Sequence, residues 1–248
     1  MTFGRCTGNG RTRTPSLLLR LGAIPAICLL ILVFPFAPGL GAATPPPQGE
    51  HVVDVIERME AAYARLEAYQ AETEVSEYKD GRVVETKRFL YTCRKPDHVR
   101  FDMESPYPGT VLVYPDEERK VSVRHGGWGG ILKLHLSPDN ALLRNRAGQP
   151  IDQTGLGLLV RNIAHSLTDR RRGEIRLSGQ DGRVLVEVVA EDHFLPGVLT
   201  LYRFSIDRAL WLPVEIMEST PDGVPRRKSV FRNPTTSPAI PNGFFQGN

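Results

Sequence analysis

Cysteine is scarce in these 248 residues: there are three, and two of them, Cys6 and Cys28, fall within the first 43. Only Cys93 lies beyond that point, so no intramolecular disulfide can brace the body of the chain, and Cys93 is expected as a free thiol, buried or half-buried. Acidic residues are missing from positions 1–43, which carry Arg5, Arg11, Arg13 and Arg20. Charge of either sign is missing from Leu21 to Gly49. The motifs of common enzymes are missing too. There is no G-x-S-x-G, H-E-x-x-H, P-loop or C-x-x-C. Gly155-Leu156-Gly157 lacks the third glycine of a dinucleotide fingerprint, and a loop at a helix start explains it as well. His125-Gly126-Gly127 looks like an esterase oxyanion loop, but no nucleophile elbow accompanies it. These absences leave catalysis without a constellation and give no cofactor or metal a site.

The N-terminal pattern has the parts of a secretory signal peptide. Arginines precede a dense apolar run, Ala23 to Phe36, and the small residues Gly41, Ala42 and Ala43 come after it. Residues 1–43 are read as the signal, cut after Ala43, and 44–49 (TPPPQG) as a linker. An uncleaved inner-membrane anchor is the other reading, because the charge-free run is long enough to span a bilayer. Pro25, Pro35 and Pro38 interrupt the run and favour cleavage. Without its four signal arginines the chain has 27 basic and 28 acidic residues, so the overall charge of +3 belongs to the export signal and is no footprint of nucleic-acid binding.

Residues 50–248 have a length that suits one domain with an ordinary core. Val52, Ile56, Met59, Tyr63 and Leu66 make one apolar stripe at helical spacing. From Tyr69 the period changes to two. Strands are expected at 69–78 and 82–94 around the hairpin signal Asp80-Gly81, then at 98–104, 109–114 and 119–124. In His98–Glu104, Val99, Phe101 and Met103 alternate with charged residues, giving a half-buried strand. Between 126 and 170 the strands stop. A flexible loop surrounds Trp128, Ser137-Pro138 looks like a helix start, and Leu156, Leu159, Ile163 and Leu167 mark a second helix. Strands resume at 174–178, 183–190, 198–206, 211–219 and 226–232, and the Pro-, Asn- and Gly-rich tail at 233–248 should be irregular. The fold class is α+β: a strongly twisted antiparallel sheet, an open half-barrel, with helices covering its concave face.

Two charged clusters have bland readings. Glu191-Asp192-His193 resembles a metal site but sits at a strand end, where a solvated turn is expected. Arg170-Arg171-Arg172 is a charge run for which a solvated face is the default and anionic lipid head groups are the alternative. A twisted sheet with a wide apolar face and a few helices can bind an acyl chain in the gap between them, with each buried methylene contributing about 0.8 kcal/mol.

Residues 80–104, DGRVVETKRFLYTCRKPDHVRFDMES up to Ser105, resemble the LolA-like periplasmic carriers of outer-membrane lipoproteins and their lipoprotein-localisation relatives. The resemblance rests on a hairpin, a strand ending in a basic residue before proline (Lys95-Pro96), and a strand with large apolar residues alternating at Val99, Phe101 and Met103. GTVLVYPDEERKVSV, DRALWLPVEI and the closing NPTTSPAIPNGFF extend it over roughly residues 50–245. It implies a non-enzymatic periplasmic carrier or chaperone with an apolar cavity, and as partners the acyl chains of lipids or lipoproteins and envelope membrane proteins. Tyr91, Val99, Phe101 and Met103 are then the cavity wall. The family has an arginine before that proline, bonded to a helical lid. Here Lys95 stands there with Arg94 before it, and lysine cannot reproduce arginine's planar fork. Both are candidates for the lid contact. A periplasmic interaction or envelope-stress sensor module of the same fold, its concavity filled by helices 50–67 and 155–167, remains the other reading.

Overall fold

Alternating apolar and polar residues form strands at His98–Ser105 and Arg183–Glu191. A computed structural model describes residues 51–126, 133–145, 148–168 and 172–246, without the side chains of 172–174 and 180. The expected signal and linker, the Trp128 loop and Arg170-Arg171 lie outside the described residues.

The chain opens with helix α1 (Val52–Arg65) and six strands: β1 (Ala68–Lys79), β2 (Arg82–Arg94), β3 (His98–Ser105), β4 (Val111–Tyr114), β5 (Val121–Arg124) and β6 (Lys133–Leu136). Helix α2 (Leu156–Thr168) comes next, then β7 (Arg172–Gln180), β8 (Arg183–Glu191), β9 (Leu199–Asp207), β10 (Leu212–Ser219) and β11 (Pro225–Thr235). All eleven strands form one open sheet, in the order β6-β5-β4-β3-β2-β1-β11-β10-β9-β8-β7, and every neighbouring pair is antiparallel. The sheet is thus two meanders, β1–β6 and β7–β11, joined by a single seam between the first strand and the last. The open half-barrel expected from the sequence is the observed fold class.

Local chemistry sets the turns. Asp80-Gly81 has φ of 52° and 73°, and Asp181-Gly182 has 47° and 72°. Two successive left-handed residues are what a tight right-twisting hairpin needs, and Asp-Gly tolerates them. At the β9–β10 turn, Asp207 Oδ1 accepts from the N–H groups of Ala209 and Leu210 at 2.8 and 2.9 Å.

Two expectations in the middle of the chain are corrected. β6 pairs with β5 and is not foreseen from the sequence, because KLHL is too short to display a period. Ser137-Pro138 does not start an α-helix. Ser137 Oγ bonds the Asp139 carboxylate, and the next element is a three-residue 3-10 turn, Ala141–Leu143, whose Leu142 N–H is capped by Asn140 Oδ1 at 3.0 Å.

Both helices lie on one face of the sheet. Val55 and Met59 of α1 and Val160, Ile163 and Leu167 of α2 pack with Val184, Val186, Val188, Tyr202, Phe204 and Ile206 into a dry core. The helices approach closely because Gly157 has no side chain: a Cβ there would collide with the Tyr63 ring. That explains the Gly155-Leu156-Gly157 run as helix packing. On the opposite face of the sheet, Phe245 covers Val111 and Val113, and Arg100 Nη1 donates to the Phe244 carbonyl at 2.6 Å. Among the described residues no helix is long and apolar enough to cross a membrane.

Candidate ligand cavity

The inner face of the β1–β6 meander is only partly covered. Period two sends Phe89 and Tyr91 of β2, Phe101 and Met103 of β3, Leu112 of β4 and Val123 of β5 to that face. They stand in cross-strand register: Phe89 opposite Met103, Tyr91 opposite Phe101, Phe101 opposite Leu112, and Leu112 opposite Val123. The Phe101 ring centre lies 5.2 Å from Phe89 and 5.4 Å from Tyr91, within the range of favourable tilted aromatic contacts. Together with Leu142 and Leu143 and with Leu156 and Leu159 of α2, these residues enclose a cavity of about 610 Å³.

Of the four residues expected on the wall, Tyr91, Phe101 and Met103 line this cavity. Val99 does not. It shares their face, but at 3% exposure it belongs to the core with Leu66, Tyr69, Tyr114 and Val121. The physical reason is position along the strand: Val99 lies at the end where the chain leaving α1 fills the space. Cys93, opposite Val99, is a free, half-buried thiol, and burial pushes its pKa up.

Tyr91 does more than line the wall. Its hydroxyl donates to the Thr154 carbonyl at 3.1 Å and accepts from the Leu156 N–H at 3.2 Å. Leu156 opens α2, where backbone N–H groups lack partners within the helix. The sheet therefore holds the start of α2 through one buried phenol, whose pKa burial drives well above the usual range.

The two gating candidates part ways. Lys95 Nζ donates to the Ala64 carbonyl in the last turn of α1 at 2.9 Å and lies 4.5 Å over the Tyr63 ring. A cation at a helix C-terminus meets free carbonyls and the negative end of the dipole. Arg94 lies 4.8 Å over the Phe245 ring instead, so it does not stand in for a helix contact.

Sequence reasoning missed a charged row on the same inner wall. Glu77 of β1 is opposite Arg227 of β11, and Arg227 is opposite Glu218 of β10. Arg227 donates from Nη2 and Nε to Glu218 Oε1 at 2.7 and 3.1 Å. Burial pushes the Glu218 carboxyl up against the pull of Arg227, and it does the same at Glu77. The signal was available. Counting back by twos from apolar Phe231 places Arg227 inside, and counting on from Val75 places Glu77 there.

Glu191-Asp192-His193 is not a solvated turn. Asp192 Oδ1 accepts from the N–H groups of Phe194 and Leu195 at 2.9 and 3.0 Å, and Oδ2 accepts from the Thr200 hydroxyl at 2.8 Å. His193 turns inward and stacks on Tyr202 with ring centres 4.5 Å apart. Its Nε2 lies 2.6 Å from Ser166 Oγ on α2, and burial lowers its pKa to about 4. Ser166 is buried and is not on the cavity wall, so the pair fastens α2 and presents no nucleophile. Among the described residues no group of three His, Cys, Asp or Glu could hold a metal ion. His193 and Phe194 also border a second, more polar cavity of about 550 Å³ beside Asp139, Arg144 and Asp152.

No protein-family model matches the sequence, and no curated protein matches it. The structure does match solved ones. MucB in its complex with MucA from Pseudomonas aeruginosa is 14% identical, with a TM-score of 0.44 over 79% of this chain and 60% of that one. A LolA superfamily protein from Nitrosomonas europaea is 10% identical, with a TM-score of 0.34 over 78% of this chain and 96% of that one. The lipoprotein LppX of Mycobacterium tuberculosis is 8% identical, with a TM-score of 0.41 over 75% and 96%. The chain spans only about 60% of the length of MucB. The structures similar to this half-barrel thus include one of the LolA superfamily, at 10% sequence identity.

Proposed function

We propose that this protein is a non-enzymatic carrier or chaperone that holds the acyl chains of a lipid or lipoprotein between its sheet and helices, in the periplasm of a bacterial envelope. One observation carries the reading. The rings and thioether of Phe89, Phe101 and Met103 are only partly buried, and they face a cavity of about 610 Å³ on a sheet face that is densely packed over β8 and β9. Such a volume is in the range of small-molecule sites, roughly 300–1,000 Å³. Apolar surface left inside a fold is favourable once an apolar ligand covers it, by about 25 cal/mol per Å². The expected export signal at residues 1–43 supports the location. The fixed contacts of Tyr91 and Lys95 support a cavity with a held roof.

Native mass spectrometry of the full chain, purified without detergent from its own periplasm, tests the reading. The expected result is an adduct with the mass of a lipid or an acylated peptide, released on denaturation. Binding of the dye N-phenyl-1-naphthylamine, with displacement by that adduct, is expected alongside. Bare protein that also fails to bind the dye would leave the interaction module as the better account.

A further inference from the structure

The cavity wall is polar in two sectors: the row Glu77–Arg227–Glu218 with Lys87 on the strands, and Arg144, Asn145, Gln149 and Gln153 on the covering segment between β6 and α2. The row crosses three adjacent strands, so its two carboxyls are about 10 Å apart at roughly 4.8 Å per strand. It lies near the Asp80-Gly81 hairpin. Phe89 is opposite Thr73, four residues along β1 from Glu77, about 13 Å away at ~3.3 Å per residue. Charged and aromatic sectors of one cavity are therefore separated along the strands.

The row is incompletely satisfied from within. The guanidinium of Arg227 commits both Nε and Nη2 to a single oxygen of Glu218. Glu77 is 7% exposed, and its carboxyl makes no hydrogen bond among the described residues. Lys87 has its own partner, Glu85, at 3.6 Å. Arg227 and Lys87 attract the Glu77 charge at longer range, and because Glu77 faces the cavity, a bound molecule has room to donate a hydrogen bond to its carboxyl.

We propose that Glu77, Arg227 and Glu218 form a head-group subsite for an amphiphile whose head carries hydrogen-bond donors and no negative charge, its chain lying along Phe89, Phe101 and Met103. This rests on the reading of the cavity as an acyl-chain site. Two carboxyls flank one guanidinium whose charge Glu218 already meets, so an anionic head would face net repulsion at the row. Hydroxyl or ammonium heads supply the donors that Glu77 lacks. Both share one chemistry, and the probes below separate them.

The test is displacement of N-phenyl-1-naphthylamine from the full chain at neutral pH by three twelve-carbon amphiphiles: monolauroylglycerol, dodecylamine and laurate. The glyceride or the amine is expected to displace the dye at about tenfold lower concentration than laurate, a difference of ~1.4 kcal/mol. Glu77→Leu should bring that ratio close to unity, with every displacement measured against the variant's own dye affinity. Glu77→Gln, which keeps a polar group, should retain most of the preference for the glyceride. Thermal melts establish that each variant is folded. Laurate binding as well as the other two in the wild type, or a ratio that Glu77→Leu leaves intact, would overturn the subsite while the acyl-chain cavity stands. Dye that does not bind the wild type at all would overturn both.

Discussion

Phe204 on β9 is 1% exposed, whereas Phe101 on β3 is only partly buried, yet each is a phenylalanine on the inner face of the same sheet. The difference belongs to the two meanders. Over β8–β10 the helices cover most of the concavity, and Val184, Val186, Val188, Tyr202, Phe204 and Ile206 are all dry, with only the rim at Tyr202, Phe204 and Ile216 bordering the cavity. Over β2–β5 only the start of α2 and the Ala141–Leu143 turn reach across, and a cavity remains. Identical alternation thus yields a packed core or a binding wall depending on where the covering helices end. One meander supplies the stability that lets the other stay open.

Paired truncations sharpen this contrast most. In chemical denaturation Phe204→Ala should cost about 3–5 kcal/mol, the usual toll of emptying a filled core. Phe101→Ala should cost less than about 2 kcal/mol because cavity already surrounds its ring, while affinity for an acyl probe falls. Equal costs at the two sites would break the comparison.

Acid should loosen the packed half next. The His193 pKa is lowered to about 4 in the folded protein, with burial as the main cause, against about 6.5 in an unfolded chain. As pH falls from about 6.5 to 4, the unfolded chain takes up a proton that the folded state refuses, so stability present above this window is lost within it, by up to about 3 kcal/mol. Glu218 acts in the opposite sense, because its raised folded pKa favours the folded state as acid is added. The difference in pH profile between wild type and His193→Gln isolates the histidine, and parallel profiles would refute its share.

The boundary between the halves depends on smaller contacts. Tyr91→Phe removes the hydroxyl from two backbone partners and should cost about 1–3 kcal/mol, with faster hydrogen exchange at the start of α2. Lys95→Met should cost at most about 1 kcal/mol, since it deletes one partly exposed cation from a helix end. Its effect should appear as faster exchange in the last turn of α1 and not in α2.

Much of the architecture is legible in the sequence. Strands, hairpins and both helices come from periodicity, Asp-Gly turns and the apolar stripes, and alternation alone puts Tyr91, Phe101 and Met103 on the inner face. What alternation does not encode is coverage. Val99 belongs to the same alternation as Phe101 but lies two residues nearer the end closed by Leu66 and Tyr69. Glu77 and Arg227 look like solvent positions because their residue types are polar, and only their phase relative to Val75 and Phe231 puts them inside. Arg94 ends β2 and Lys95 opens the turn after it, and only Lys95 reaches α1.

The seam between β1 and β11 also sets a schedule. β1 pairs with β2 within a few residues, but its other neighbour, Arg227 to Thr235, is made about 150 residues later. A chain delivered from its N-terminus can assemble the open meander early, and it must then wait with the other edge of β1 unpaired until almost the last strand arrives. Non-local pairing of this kind is slow, and an unsealed strand edge beside an apolar wall is the form most open to wrong partners. For a protein made in this order, the hazard of adhesion is concentrated in the interval before its final strand is laid down.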